Sequence, residues 1–156
     1  MNAPETENVV IKSILVRRDV AGAFHVWTER IREWWPAGHS LSGDPRTQVF
    51  IEGKVGGRFY ERTSNGDEIS WGSVVVWEPP HRLVHTWFLG SGQELPSQVE
   101  VQFFPAGDGK TRVEIAHRGP EFIGDLWWRI KVRFHAGWEK VTGEYKKNLI
   151  SREKTF

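Results

Sequence analysis

Two consecutive stretches, SQVEVQFF (97–104) and KTRVEIAH (110–117), show the clearest alternation in the chain. Val99, Val101 and Phe103 alternate with Gln98, Glu100 and Gln102; Val113, Ile115 and His117 alternate with Arg112, Glu114 and Ala116. A period of two predicts strands with one face in water and the other pressed on something apolar. Pro105-Ala106-Gly107-Asp108-Gly109 joins them as a turn. Just before lies WGSVVVWEPPHRLVHTW (71–87), two runs rich in Val and Trp broken by Glu78-Pro79-Pro80-His81. Val and Trp suit a pleated, half-buried surface, and consecutive prolines cannot donate to a ladder, so this stretch reads as another hairpin.

After Arg118-Gly119-Pro120 the period changes to that of a helix. Leu126, Ile130, Phe134, Trp138, Val141, Tyr145 and Leu149 recur at spacings of three and four and form one stripe. Lys131, Arg133, Glu139, Lys140, Glu144, Lys146 and Lys147 mostly fill the remaining arc. The pattern predicts a start within 121–125, where Glu121 and Asp125 suit the positive end of the dipole. It predicts an end near 148–151, giving about 25 residues and a length of about 37 Å. Gly137 inside this helix costs about 1 kcal/mol relative to Ala, which implies a close approach of the helix to strand backbone or to a neighbouring Trp.

Upstream, 9–16 reads as a strand. Asp19 is a reasonable N-cap for a short helix through Phe24 and Trp27, and a second short helix covers 31–35 before Pro36. A polar loop spans 38–45, a strand 47–51 and a turn 54–57. The strand 58–63 is joined to 68–77 through Asn65-Gly66, read as a type I′ turn because both residues tolerate positive φ. The predicted order is strand, two short helices, six antiparallel strands, long helix.

Composition narrows the function classes. At 156 residues the chain reads as one domain over 1–156, with a core of about 9–150. Lys plus Arg number 21 against 20 Asp plus Glu, so no strong field points toward nucleic acid or an anionic membrane. The absence of cysteine excludes disulfides, thiolate metal sites and cysteine nucleophiles. No apolar leader or membrane-length run is present, and the chain is expected to be soluble and cytoplasmic. There is no serine nucleophile elbow, phosphate loop or dinucleotide fingerprint, and no cofactor or metal is expected. Nine tryptophans are the outlier. They fit either a large aromatic core or the walls of a concave small-molecule site, and spacing does not separate the two.

The polar candidates are few. By alternation Leu83, His85 and Trp87 share a face, so His85 points inward if Trp87 does. It is then either paired with a neighbouring side chain or in contact with a ligand. His117 closes its strand at the rim of any cavity, the plainer reading being a histidine satisfied by backbone. Glu61 shares the parity of Phe59, yet a solvent-facing edge carboxylate is the plainer reading, because Glu is so rarely buried. Gly72 either lets a ligand approach the strand or marks a bulge. A His/His/Glu trio drawn from three strands lacks metal-ligand spacing and is a weak acid–base candidate.

Five stretches in order, VWTERIREWWPAG, EGKVGGRFYER, WGSVVVWEPPHRLVHTW, PSQVEVQFFPAGDGKTRVEIAHRG and GWEKV, make the chain resemble the activator of heat-shock protein 90 ATPase homologue-like family. That family lies within the START-like superfamily (SRPBCC, polyketide cyclase/dehydrase and lipid transport). The resemblance implies an α+β helix-grip fold, a curved antiparallel sheet of about seven strands wrapped around the C-terminal helix with a cavity between. Family members usually carry an apolar or aromatic residue where this chain has His85. The founding co-chaperones also have a separate N-terminal domain for which this chain has no room, so a chaperone partner is implied only weakly.

If the sheet is that curved, its inward side chains cannot all interdigitate with one helix stripe. From the first half and the central strands, the expected ligand-binding set is Trp35, Phe59, Trp71, His85, Trp87, Val101 and Phe103. His117, Trp127, Ile130 and Phe134 complete it, with no catalytic residue assigned. Three functions stay open: binding of a small, mostly apolar or aromatic molecule; a cyclase, dehydratase or hydrolase using a histidine; and a chaperone-associated protein-binding module. The first is favoured, because inward apolar residues are plentiful and chemistry is sparse. A monomer or homodimer is expected.

Overall fold

The computed structural model describes residues 9–88, 96–119 and 126–153, and for 126–129 and 151–153 the backbone alone. The elements follow the predicted order: β1 (Val9–Val16), α1 (Val20–Thr28), α2 (Ile31–Trp34), β2 (Gln48–Ile51), β3 (Arg58–Arg62), β4 (Glu68–Glu78), β5 (Arg82–Trp87), β6 (Ser97–Pro105), β7 (Thr111–Arg118) and α3 (Leu126–Glu153). The expected helix start within 121–125 lies outside the described residues. From Leu126 the 28 residues of α3 span about 42 Å. No helix among the described residues is long and apolar enough to cross a membrane.

The strands form one antiparallel sheet in the order β1-β7-β6-β5-β4-β3-β2. Irregular register between Phe59 and Tyr60, and again between Val74 and Val76, adds residues to one side of the ladder. Such bulges increase twist and bend the sheet, and the sheet curls around α3. Ile130, Phe134, Trp138, Val141, Tyr145 and Leu149 are all buried on the helix stripe. Facing them are Leu83, His85 and Trp87 of β5, Val99, Val101 and Phe103 of β6, and Val113, Ile115 and His117 of β7, also all buried. The period-two strands and the period-3.6 helix thus bury the residues their spacing selects.

The two short helices close one end. Asp19 caps α1 by accepting from the Gly22 N–H at 2.7 Å. Trp27 packs edge-on against Tyr145, with centroids 4.9 Å apart, and the Tyr145 hydroxyl donates to the Ala23 carbonyl at 2.8 Å, tying α3 to α1. Phe24 meets Phe103 at 5.3 Å in the same cluster.

Two local expectations need correction, and one alternative is resolved. Asn65-Gly66 does sit in a hairpin, but only Gly66 has positive φ (93°), and the Gly66 N–H bonds the Thr63 carbonyl. With Thr63 bonded to Asp67, the loop is three residues long with one left-handed glycine, instead of a two-residue type I′ turn. Gly137 approaches neither strand backbone nor a tryptophan: a Cβ there would lie 3.1 Å from His39 Cε1, in the loop after α2. At Gly72 the bulge alternative holds, since Phe59 pairs with Gly72 but Tyr60 with Ser70, and a Cβ there would fall 1.9 Å from the Thr86 carbonyl oxygen, so the glycine admits the neighbouring strand and not a ligand.

Candidate functional site

Between the sheet and α3 lies a cleft of about 110 Å³ lined by His39, Trp87, Ile130, Arg133, Phe134, Gly137 and Trp138. The sequence pattern explains the wall: 130, 133, 134, 137 and 138 follow helical spacing, so α3 presents them together. Trp87 faces them as the last inward residue of β5, 5.6 Å from Trp138. Gly137 leaves the gap that a side chain would fill. Arg133 is exposed at the rim and forms no ion pair with any described residue. Larger hollows lie elsewhere on the molecule. One of about 450 Å³ runs along Leu15, Arg17, Lys146 and Ile150, beside the far end of α3 and away from both buried histidines.

Behind the mouth, aromatic rings pack in a continuous group. Trp35 sits 5.3 Å from Trp71 and 6.0 Å from Trp87, and Phe59 lies 5.2 Å from Trp87 and 4.8 Å from His85. Of the residues expected to bind ligand, Trp87, Ile130 and Phe134 line the cleft. Trp35, Phe59, Trp71, His85 and His117 form the packed layer behind it. Val101 and Phe103 are inward but do not line the cleft; Phe103 packs toward α1. Trp127 lies outside the described side chains. Alternation missed His39, which no local signal marks, and Arg133, which its charge had placed on the wet arc.

The indole tips are largely spoken for. Trp71 donates to Glu61 at 2.6 Å, Trp35 to the His39 carbonyl at 2.7 Å, Trp34 to the Val26 carbonyl at 2.9 Å and Trp138 to His117 Nδ1 at 2.8 Å. Glu61 is fully buried, against the solvent-facing reading, because a ring of donors replaces water. The Leu41 and Ser42 N–H groups, the Thr47 hydroxyl and the Trp71 indole all bond its carboxylate. Burial pushes its pKa up, but bonds from Ser42, Trp71, Leu41 and Thr47 outweigh this and hold it below the ordinary value.

His117 is buried more deeply than a rim position, and side chains satisfy it instead of backbone. An indole N–H can only donate, so Nδ1 must accept from Trp138 and the neutral ring carries its proton on Nε2. Nε2 then donates to Ser97 Oγ at 2.6 Å, and the Ser97 hydroxyl donates to the Trp87 carbonyl at 3.2 Å. Phe134 covers the imidazole at 4.0 Å. Burial, with a smaller contribution from His85, depresses its pKa to about 3. This serine–histidine pair therefore runs opposite to a catalytic dyad, in which Nε2 must accept the hydroxyl proton.

His85 adopts the other tautomer. Its Nδ1 lies 2.9 Å from the Thr86 carbonyl, which can only accept, so Nδ1 is the donor and Nε2 holds a lone pair. The side chain is buried, and burial lowers its pKa to about 4 against a small opposing effect of the Thr86 bond. Among the described residues no three His, Cys, Asp or Glu groups come together as a metal site.

The family described as Activator of Hsp90 ATPase homolog 1-like protein matches residues 19–149. Among solved structures, the chain is 34% identical to the anthrahydroquino-gamma-pyrone synthase Txn09, covering 90% of this chain and 96% of that one with a TM-score of 0.58. Protein MLL2253 from Mesorhizobium loti is 21% identical over 92% of this chain and 97% of its own, with a TM-score of 0.68. Protein NE0264 from Nitrosomonas europaea is 16% identical over 98% of this chain and 100% of its own, also at 0.68. These last two likenesses concern the fold alone. No curated protein matches the chain.

Proposed function

The chain belongs to the Activator of Hsp90 ATPase homolog 1-like family, and from that premise we propose that it binds a small, mostly apolar aromatic molecule between the sheet and α3. The observation that carries this reading is the cleft wall: Trp87, Phe134 and Trp138 offer ring faces, and Arg133 stands at the rim without an ion-pair partner among the described residues. Ligand pockets combine an apolar lining with few polar groups in this way. The volume of about 110 Å³ is smaller than the roughly 300–1,000 Å³ of drug-sized sites. A fused-ring ligand therefore enters by turning Phe134 aside, because the Trp138 indole is tied to His117.

A second reading, an enzyme acting on such a molecule, is favoured by the 34% identity to a protein named as a synthase of a fused aromatic product. It places the chemistry at His85 and not at Ser97, whose proton already goes to the Trp87 carbonyl.

The test is titration of fused two- and three-ring aromatics against the indole N–H resonances, followed by chromatography of the recovered ligand. One-site saturation with Trp87 and Trp138 perturbed supports binding. Loss of the ligand to a product that His85→Ala no longer forms supports the enzyme. No saturable shift with any member of the series defeats both.

A further inference from the structure

Two imidazoles flank Trp87, with ring centroids at 5.4 Å for His85 and 6.5 Å for His117. They sit on one row of the sheet, because His85 pairs with Val99 and Val99 pairs with His117. Their hydrogen-bonding capacity differs. Both nitrogens of His117 are engaged, Nδ1 by Trp138 and Nε2 by Ser97. His85 spends Nδ1 on the Thr86 carbonyl, and its Nε2 has no partner among the described residues although the side chain is 1% exposed. An acceptor left open on a side chain this enclosed is uncommon in a finished core, and Nε2 is not itself sealed, since among the described residues Arg18 Nε is the fully buried side-chain polar atom without a partner. The His85 imidazole lies against Phe59 and Trp87, the ring that forms the sheet side of the cleft.

We infer that His85 Nε2 is the acceptor for a hydroxyl proton of the ligand, so that the class bound is a hydroxylated aromatic of phenol or enol type. This rests on the binding reading above and narrows it. His117 is excluded as that acceptor by its own bonds; His39, whose imidazole lines the mouth of the cleft, is the rival, and a naphthol preference that survives in both His85 variants but is lost in His39→Phe overturns the assignment to His85. An apolar body meets Trp87, Phe134 and Trp138 while one O–H reaches past Trp87 to Nε2. A ligand lacking the O–H leaves Nε2 as unpaired as before, and one carrying a methyl ether there brings bulk without a proton. Selection is therefore against the ether as well as for the hydroxyl.

Three probes of nearly one shape separate the outcomes: 2-naphthol, 2-methoxynaphthalene and naphthalene, titrated at neutral pH and read by indole N–H shifts. The expected result is that 2-naphthol binds wild-type protein about ten-fold or more tighter than either of the others, a factor equivalent to about 1.4 kcal/mol. In His85→Phe, and in His85→Leu as a second variant of different shape, that preference collapses to within about two-fold while naphthalene still binds. Equal affinity for naphthol and methoxynaphthalene in the wild type overturns the assignment to a hydroxyl. A preference that survives in both variants overturns the assignment to His85. Failure of all three probes to bind overturns the cleft reading itself, and with it this inference.

Discussion

The Trp138 indole donates to His117 Nδ1 over 2.8 Å, and this bond fixes the direction of the buried chain that runs on through Ser97 to the Trp87 carbonyl. An arrangement with a histidine 2.6 Å from a serine is thereby turned into a strut between α3 and the sheet, each proton already committed.

Trp138→Phe keeps the ring but leaves Nδ1 without a donor. Denaturant unfolding should show a loss of about 1–3 kcal/mol, the cost of an unpaired buried polar group. Ser97 should stay unlabelled by serine-directed phosphonylating reagents in the wild type. Labelling that depends on His117 would mean that the proton direction assigned here is reversed.

The two buried histidines predict a specific acid sensitivity. Their folded pKa values, about 4 for His85 and about 3 for His117, lie below the ordinary 6.5. Between those limits the unfolded chain binds more protons than the folded one, so stability is full above about pH 6.5 and falls as the pH drops. Each group contributes a slope of about 1.4 kcal/mol per pH unit while it remains neutral in the fold and charged in the unfolded chain. Imidazole proton NMR should find both resonances unchanged from pH 8 to 5. The stability slope between pH 6 and 5 should be shallower in His85→Phe; an unchanged slope counts against burial of the neutral ring.

Glu61 holds the loop after α2 against β3 and β4 through Leu41, Ser42, Thr47 and Trp71. Bonds to a charged acceptor are worth about 1.5–3 kcal/mol each, so Glu61→Ala should cost at least about 3 kcal/mol in chemical unfolding. Hydrogen exchange at Leu41 and Ser42 should rise with it. A mild variant with an unchanged exchange pattern would show that the loop is held by other contacts.

Two glycines give opposite outcomes. Gly72→Ala drives a Cβ into the Thr86 backbone and should destabilise by more than about 3 kcal/mol, or prevent folding, since neither strand can move aside. At Gly137 a Cβ meets the His39 ring alone, and Gly137→Leu should cost about 1–3 kcal/mol. It should nevertheless abolish binding of fused aromatics, because it fills the cleft. Retained affinity in a folded Gly137→Leu protein would place the ligand elsewhere.

The described strands and helices were legible, β6, β7 and α3 from a strong period and α1 and α2 from the Asp19 cap and Pro36, and the inward direction of His85 followed from Leu83 and Trp87. What escaped was set by contacts between distant segments. The burial of Glu61 depends on N–H groups of Leu41 and Ser42, which carry no side-chain signal. His39 enters the cleft from an irregular loop. The pairing of His117 with Ser97 joins residues on the same face of adjacent strands, and the alternation of Ser97, Val99 and Val101 already held that clue. Asn65 suggested the tighter turn only because Asn tolerates a conformation it does not adopt here.

The order β1-β7-β6-β5-β4-β3-β2 also has a kinetic meaning. From β2 to β7 each strand pairs with its neighbour in sequence, so that meander can zip up hairpin by hairpin at little cost in loop closure. Only β1 must wait, since Val9 pairs with Arg118 near the other end of the domain. During synthesis the first strand made is the last to find its partner, and Val10 and Val16 stay wet until β7 has left the ribosome. The same strand forms one edge of the finished sheet. Crowded or fast expression should therefore expose β1 as the segment through which nascent copies associate before they close.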